Sequence, residues 1–403
     1  MKRLFVSGAL ADGSVELDMR SLHTLFAFPV AAVAFYAAPA AARPWPAEAW
    51  SAAVNLTSIE GAGTNDFHVD LSGLFWNAQS RRMWVCRNGP ASTTSKVWRL
   101  REDGAGGWVV DGGTTSARCE WTGFGDAEAI TQADMSSNFV YVLAEGEDVI
   151  RLYNLSTPGV VSLVRTYAIS THLPTDGGDG AEGLTFVPDA YLRAGGFMNS
   201  AGVPTVSQKG MGGLFFVGHQ NGGRVYVFDL SASDATFTFV GAYLTNASET
   251  AELCFDRSTG RLLVLHGAGV NTIEICALSS TISGSERRLS TIETLGPPTG
   301  SSGQNIEGLA VFASGDSTGG VAGRRSLFLT IDDGGATSLL WFKQFENVCR
   351  ADWNGVGGST IDDLFLYMNA WFTSDAAADF DFSGGVSIDD LFQYLNAWFV
   401  GCP

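Results

Sequence analysis

Five short segments of one pattern recur along the chain: Asp70-Leu-Ser-Gly-Leu74, Asp126-Ala-Glu-Ala-Ile130, Gly180-Ala-Glu-Gly-Leu184, Glu249-Thr-Ala-Glu-Leu253 and Asn305-Ile-Glu-Gly-Leu309. Their starts are 56, 54, 69 and 56 residues apart. A unit of this length holds about four strands with their turns but cannot bury a core alone, so the units must pack on one another. The runs after each motif read as strands. In the second unit they are Phe139-Val-Tyr-Val-Leu143, Val149-Ile-Arg-Leu-Tyr153 and Ser162-Leu-Val-Arg-Thr-Tyr-Ala168. With 49 glycines and only 16% charged residues, the composition fits many turns between buried strands. The expected fold is an all-β propeller of five blades. The fifth unit supplies only three strands, and Ala53-Val-Asn-Leu-Thr-Ser58 precedes the first motif unassigned. We expect it to complete the last blade, closing the ring and removing an exposed edge.

The innermost strand of a blade lines the central channel, and each motif stands where that strand begins. The third motif residues are Ser72, Glu128, Glu182, Ala251 and Glu307. Glu128, Glu182 and Glu307 should therefore converge at the channel mouth, with Asp70 and Asp126 near them. Carboxylates that close repel unless a cation neutralises them, and hard oxygen ligands suit Ca²⁺. The rival role is structural, with each Glu accepting backbone N–H bonds between blades. The loops after the second strands, with Arg87-Asn88, Glu145, Glu147, His219-Gln220, His266 and Asp332-Asp333, should open on the same face; His219 and His266 read as polar loop residues.

The order of these motifs, with a non-Glu fourth repeat, resembles the SdiA-regulated β-propellers and the related esterase-like phytase group, over roughly residues 54 to 345. The resemblance implies an exported propeller with Ca²⁺ plausible. Phytase chemistry also needs basic residues to hold phosphate, and the candidates here are few: Arg87, Arg151 and Arg224. Net charge is −18, which argues against a nucleic-acid partner.

The C-terminal region carries a second repeat. Ile361-Asp-Asp-Leu-Phe-Leu-Tyr-Met-Asn-Ala-Trp-Phe372 matches Ile388-Asp-Asp-Leu-Phe-Gln-Tyr-Leu-Asn-Ala-Trp-Phe399 at ten of twelve positions, with a period of 27. Apolar residues at helical spacing predict two short helices. An acidic loop precedes each. Asp379, Asp381, Ser383 and Asp390 occupy positions 1, 3, 5 and 12 of an EF-hand-type calcium loop, with Gly384 at the turn, the Gly385 carbonyl at position 7 and Ser387 at position 9. The first loop offers Asp352, Asn354 and Asp363 but Val356 at position 5, so weaker or no calcium is expected there. The region resembles dockerin modules, specifically dockerin-like tails with a Gly-Cys near the end. The resemblance implies calcium-dependent docking to a cohesin-type protein or cell-surface scaffold. Specificity would lie at Ile361-Asp362 and Ile388-Asp389.

Near the N-terminus, Leu22 to Ala42 is an almost uncharged run ending in small residues, which reads as a cleaved export signal. Met19-Arg20 makes a better start than the acidic segment before it. Export permits disulfides. Of the six cysteines, Cys349 and Cys402 flank the tail and are expected to clasp it; Cys86 and Cys119 are a candidate pair, with Cys254 and Cys276 undecided. The expected organisation is a signal at 1–42, a propeller at 43–348 and an all-α dockerin-like module at 349–403. The reading is a secreted propeller that binds a ligand or Ca²⁺ at its mouth and is tethered by its tail, with no membrane contact after cleavage. The alternatives are a phytase-like or other Ca²⁺-dependent hydrolase and a propeller that binds only protein.

Overall fold

The computed structural model describes residues 42–61, 66–89, 95–174, 180–267, 269–313, 319–321, 324–332, 334–345, 351, 353, 359–375, 378, 380 and 386–401. The expected export signal and the Cys349–Cys402 bridge lie outside these residues. Among the described residues no helix is long and apolar enough to cross a membrane.

Strands dominate from Val54 to Phe342, and they form five consecutive antiparallel meanders. The first blade comprises Leu71–Asn77, Arg82–Arg87 and Lys96–Glu102, with Trp108–Val110 and Glu120–Thr122 sharing the outer edge. The second comprises Ala127–Thr131, Phe139–Ala144, Val149–Asn154 and Ser162–Ala168. The third comprises Ala181–Pro188, Gly213–His219, Arg224–Leu230 and Phe237–Leu244; the fourth, Glu252–Asp256, Arg261–His266, Thr272–Ser283 and Glu286–Leu295. The outer strands of these two run parallel and bond at Tyr243–Arg287 and Leu244–Arg288, which merges both blades into one eight-stranded sheet. The fifth comprises Asn305–Val311, Leu327–Asp332 and Leu339–Phe342, completed by Val54–Asn55 pairing with Trp341 and Leu340. The early strand thus closes the ring as expected.

Packing explains why the strands read as continuous apolar runs. Each sheet is covered on both faces, so both sides of the pleat are buried. Five hydrophobic layers fill the five seams between successive blades. In the second blade Val140 and Val142 face Trp84 and Val97 of the first, while Tyr141 and Leu143 face Phe186 and Phe215 of the third. The last seam joins Trp76 and Trp98 of the first blade to Phe328 and Trp341 of the fifth. Inner strands touch in the order first, second, third, fourth, fifth, first. This cyclic packing is that of a β-propeller.

The four described cysteines pack in or against the core as free thiols. Cys86 and Cys119 share the seam between the first two blades but are free thiols, as are Cys254 and Cys276, which corrects the Cys86–Cys119 expectation. Cys86 donates to the Gly73 carbonyl at 3.5 Å, and the Cys119 sulfur accepts from Arg99 Nη2 at 3.2 Å.

The tail forms two helices, Ile361–Phe372 and Ile388–Val400. Their contacts repeat as the sequence does. Tyr367 and Tyr394 stack at 3.7 Å with a 7° angle between their rings. Trp371 donates to the Ser387 carbonyl at 2.6 Å, and Trp398 donates to the Thr360 carbonyl at 2.7 Å. Each indole thereby holds the residue that caps the opposite helix.

Candidate metal centre at the channel mouth

The motif has a local cause. In four blades the ladder slips by one residue where the inner strand begins: between Leu71 and Leu74, Ala127 and Ala129, Ala181 and Gly183, and Ile306 and Gly308. Such a bulge re-aims a side chain that regular pleating would place elsewhere. The re-aimed residues include Ser72, Glu128, Glu182 and Glu307. The next position is Gly in three of these blades (Gly73, Gly183, Gly308) and Ala129 in the second, because neighbouring inner strands nearly touch. A Cβ on Gly73 would lie 2.6 Å from Ala129 Cα, and one on Gly183 would lie 2.9 Å from the Leu253 nitrogen.

The fourth blade departs from the pattern, and here the expectation needs correcting. Its ladder runs without a slip from Glu252–Leu265 to Asp256–Arg261. The channel acid is therefore Glu252, one place beyond the aligned Ala251, which packs in the apolar seam instead. Glu252 is fully buried, and its Oε1 accepts from the backbone N–H groups of Leu184 at 3.1 Å and Leu253 at 2.8 Å. Its Oε2 lies where a side chain at Gly73 would come within 2.9 Å. One carboxyl thus spans the ring from the fourth blade to the first and third. The missed clue was the motif's own exception: Glu252 stands where the other repeats have Gly or Ala.

Burial governs the electrostatics. It pushes Glu128 up to about 8, aided by Glu145, Asp126 and Asp332 and opposed by a hydrogen bond with Ser72. It pushes Glu307 up to about 9, with Asp332 and Glu128 adding to the effect. Glu182 and Glu252 are raised well above the usual carboxylate range, again by burial first; Glu128 adds to both. Glu145 is raised by burial and by Asp126, while it accepts from the Gly180 N–H at 2.8 Å. These groups feel one another, so the acids do converge on one region.

Within that region Asp126, Glu128 and Glu145 can each present an oxygen within 4.8 Å of the other two. Glu128 is 2% exposed, and its Oε1 has no hydrogen-bond partner among the described residues. A buried carboxylate oxygen without a donor is costly unless protonated or held by a cation. A trio of hard oxygen donors fits Ca²⁺, which tolerates irregular geometry, better than a thiolate- or imidazole-seeking metal. Glu182 and Glu307 stand close enough to interact electrostatically but fall outside the trio. Asp70 points instead to Arg87, 3.8 Å away. Arg151 is paired with Glu147, and Arg224 holds Glu286 through contacts of 2.9 and 3.0 Å, so the three basic candidates all engage carboxylates.

His219 and His266 are buried at strand ends rather than displayed on loops. His219 accepts from the Asn221 N–H at 2.9 Å. His266 Nδ1 lies 2.6 Å from the Glu249 carbonyl, and Nε2 lies 3.1 Å from Glu274 Oε2. Although burial opposes it, hydrogen bonds from His266, Thr291 and Asn246 hold the Glu274 carboxyl below its ordinary range.

Of the tail ligand residues, Asp363, Ser387 and Asp390 are described; Asp352, Asn354, Asp379, Asp381, Ser383 and Gly385 lie outside the described residues. Asp363 and Asp390 are fully buried. Asp363 Oδ2 accepts from the Thr360 N–H and hydroxyl at 2.8 and 2.6 Å; Asp390 Oδ2 accepts from those of Ser387 at 2.7 and 2.9 Å. Each last loop acid therefore closes a capping box on its own helix. Ile361 and Ile388 stand half exposed at the helix starts, and Asp362 and Asp389 lie in the first turns.

No protein-family model matches the chain, and no curated protein matches it. Solved structures with a partial likeness include a nidogen/laminin complex, at 11% identity over 67% of this chain and 82% of that one, with a TM-score of 0.33. Another is Sqt1 of Chaetomium thermophilum bound to the N-terminus of ribosomal protein L10, at 12% identity over 69% and 61%, TM-score 0.32. A third is a protein from Lactobacillus plantarum, at 9% identity over 65% and 63%, TM-score 0.33. The chain covers less than two thirds of the last two. The propeller assignment stands on the strand order and on the five packed seams.

Proposed function

We propose that this chain is an exported propeller that binds a divalent cation, Ca²⁺ by its donor set, at its channel mouth. The observation that carries this is the approach of Asp126, Glu128 and Glu145 within 4.8 Å, one of them buried with an oxygen that meets no donor among the described residues. Glu182 and Glu307 lie within electrostatic reach of the trio, and Asp70 belongs to its margin. The cation would neutralise the trio, whose ligands all come from the second blade, and leave coordination positions for a ligand. Arg87, Arg151 and Arg224 are all committed to carboxylates, so binding is favoured over phosphate-ester chemistry.

In this reading the tail is a calcium-dependent, dockerin-like module. Its loops use Asp352, Asn354 and Asp363, and Asp379, Asp381, Ser383, Gly385, Ser387 and Asp390. A Cys349–Cys402 bridge clasps it, and Ile361, Asp362, Ile388 and Asp389 meet a cohesin-like protein or scaffold outside the cell. The mirrored helix contacts support two similar halves.

Calorimetric titration of calcium into the whole chain tests both sites. Glu128→Gln with Glu145→Gln should remove one binding event, and Asp379→Ala another. If calcium binding is unaltered in the double Gln variant, the mouth is not the site; if Asp379→Ala leaves every event intact, the tail loop is not one.

A further inference from the structure

The base of the ring, opposite the mouth, holds a half-buried positive charge that the mouth does not use. The inner strand of the fourth blade starts at the mouth with Glu252 and ends at Asp256, and the turn 257–260 returns the chain to Arg261. Asp256 is buried and fully engaged. Its Oδ1 accepts from the Ser258 N–H and hydroxyl at 2.9 and 2.6 Å, and its Oδ2 accepts from the Thr259 hydroxyl. Arg325, just before the second strand of the fifth blade, lies 2.7 Å from the same Oδ2.

Arg257 is fixed through its backbone alone. The Tyr191 hydroxyl donates to the Arg257 carbonyl at 2.7 Å, from the short helix Asp189–Ala194 that follows the inner strand of the third blade. The Tyr191 ring meets Phe255 edge-on at 5.0 Å, which seats the turn. The Arg257 side chain is partly buried and its Nη2 is shut off from solvent, yet Nη2 meets no acceptor among the described residues. Burial lowers its pKa, and Tyr191 opposes this.

A desolvated guanidinium without a counter-charge is unfavourable. Its planar fork of N–H donors matches a carboxylate, which can take two parallel bonds. One uncompensated cation balances one negative charge. On a molecule of net −18 a monoanion therefore fits better than a doubly charged phosphate.

We propose that Arg257 binds the carboxylate of a small organic acid at the base of the ring, a site separate from the acids of the mouth. The partly exposed remainder of the side chain gives the acid a way in from the face opposite the mouth. The two ends of the ring would then take ligands of opposite charge.

The test uses the whole chain with EDTA, at constant ionic strength, and isotope-labelled acetate followed by NMR. Broadening of the acetate signal should saturate, and binding should weaken roughly tenfold or more in Arg257→Gln. Arg193→Gln, which removes the arginine beside Asp189 on the neighbouring helix, should leave it unchanged. Acetate should raise the Tm of the wild type and not that of Arg257→Gln. That variant should fold, because the guanidinium makes no hydrogen bond or ion pair with the described residues. No saturable acetate binding, equal binding by Arg257→Gln, inorganic phosphate binding more tightly than acetate, or an Arg257→Gln chain that does not fold would each overturn the proposal.

Discussion

The channel mouth and the tail both gather acids, but by opposite routes. In each tail loop the expected ligands fall within twelve consecutive residues, and the last acid also caps the helix that follows. In the mouth, Asp126, Glu128 and Glu145 come from one blade, while Glu182, Glu252 and Glu307 arrive from three others. The tail can order its acids by local turns. The mouth can do so only after five seams have packed, so its acids are buried by the ring. A locally built site forms with its own helix, as Asp363 and Asp390 do in their capping boxes; a convergent one desolvates its acids, which favours their protonated form and sets a cation in competition with protons.

The largest effect that would break this contrast lies at the strand crossings. Gly73→Val would drive a side chain into Ala129, Glu128 and Glu252 and should cost at least about 3 kcal/mol, or prevent folding, in a denaturant melt. An equivalent stability in that variant would mean that the inner strands are not packed as described.

Next is the pH dependence of the chelated protein. Glu128 and Glu307 sit near 8 and 9 when folded, against an ordinary value of 4.5, so the folded state keeps protons that the unfolded state loses. The stability they contribute is fully present below about pH 4.5 and is lost as pH rises through 8 to 9. For Glu128 alone the loss is on the order of 5 kcal/mol. With EDTA, Tm should fall between pH 5 and about 9; with calcium the fall should shrink, because the ion binds the ionised form. A Tm that is flat over that range under both conditions would contradict the buried mouth.

Glu252 separates hydrogen bonding from charge. Glu252→Gln keeps an acceptor for the Leu184 and Leu253 N–H groups and should change stability little at pH 6, while Glu252→Ala orphans both and should cost about 1–3 kcal/mol. Equal melting of the two variants would show that the spanning bonds do not matter. The smallest effect belongs to the tail. Ser387→Ala removes the hydroxyl that accepts from the Asp389 N–H and should cost about 1 kcal/mol, read as earlier loss of helix in a thermal scan.

Much of this was legible before any coordinates. The spacing of the five motifs named the meanders, and the strand count of the fifth unit pointed to the Ala53–Ser58 segment as the closing strand; Val54–Asn55 takes that place. The twelve-residue match in the tail named its two helices, because helix spacing and capping are local. Glu128 and Glu182 were legible for the same reason, since they sit at a repeated position. Glu252 was misread because alignment preserves position, whereas the ladder decides direction: without the bulge, the next residue faces the channel. Cys86 and Cys119 were misread because a shared seam looks, in sequence, the same as a bond.

What the sequence determined by itself is whatever repeats or is local: five units, their strands, two capped helices and a surplus of acid. Which acids meet, which lose water and how far each is pushed from its ordinary ionisation were decided only by the closed ring. Burial and proximity across blades are properties of the packed whole, and residues 50 or more apart carry no local trace of them.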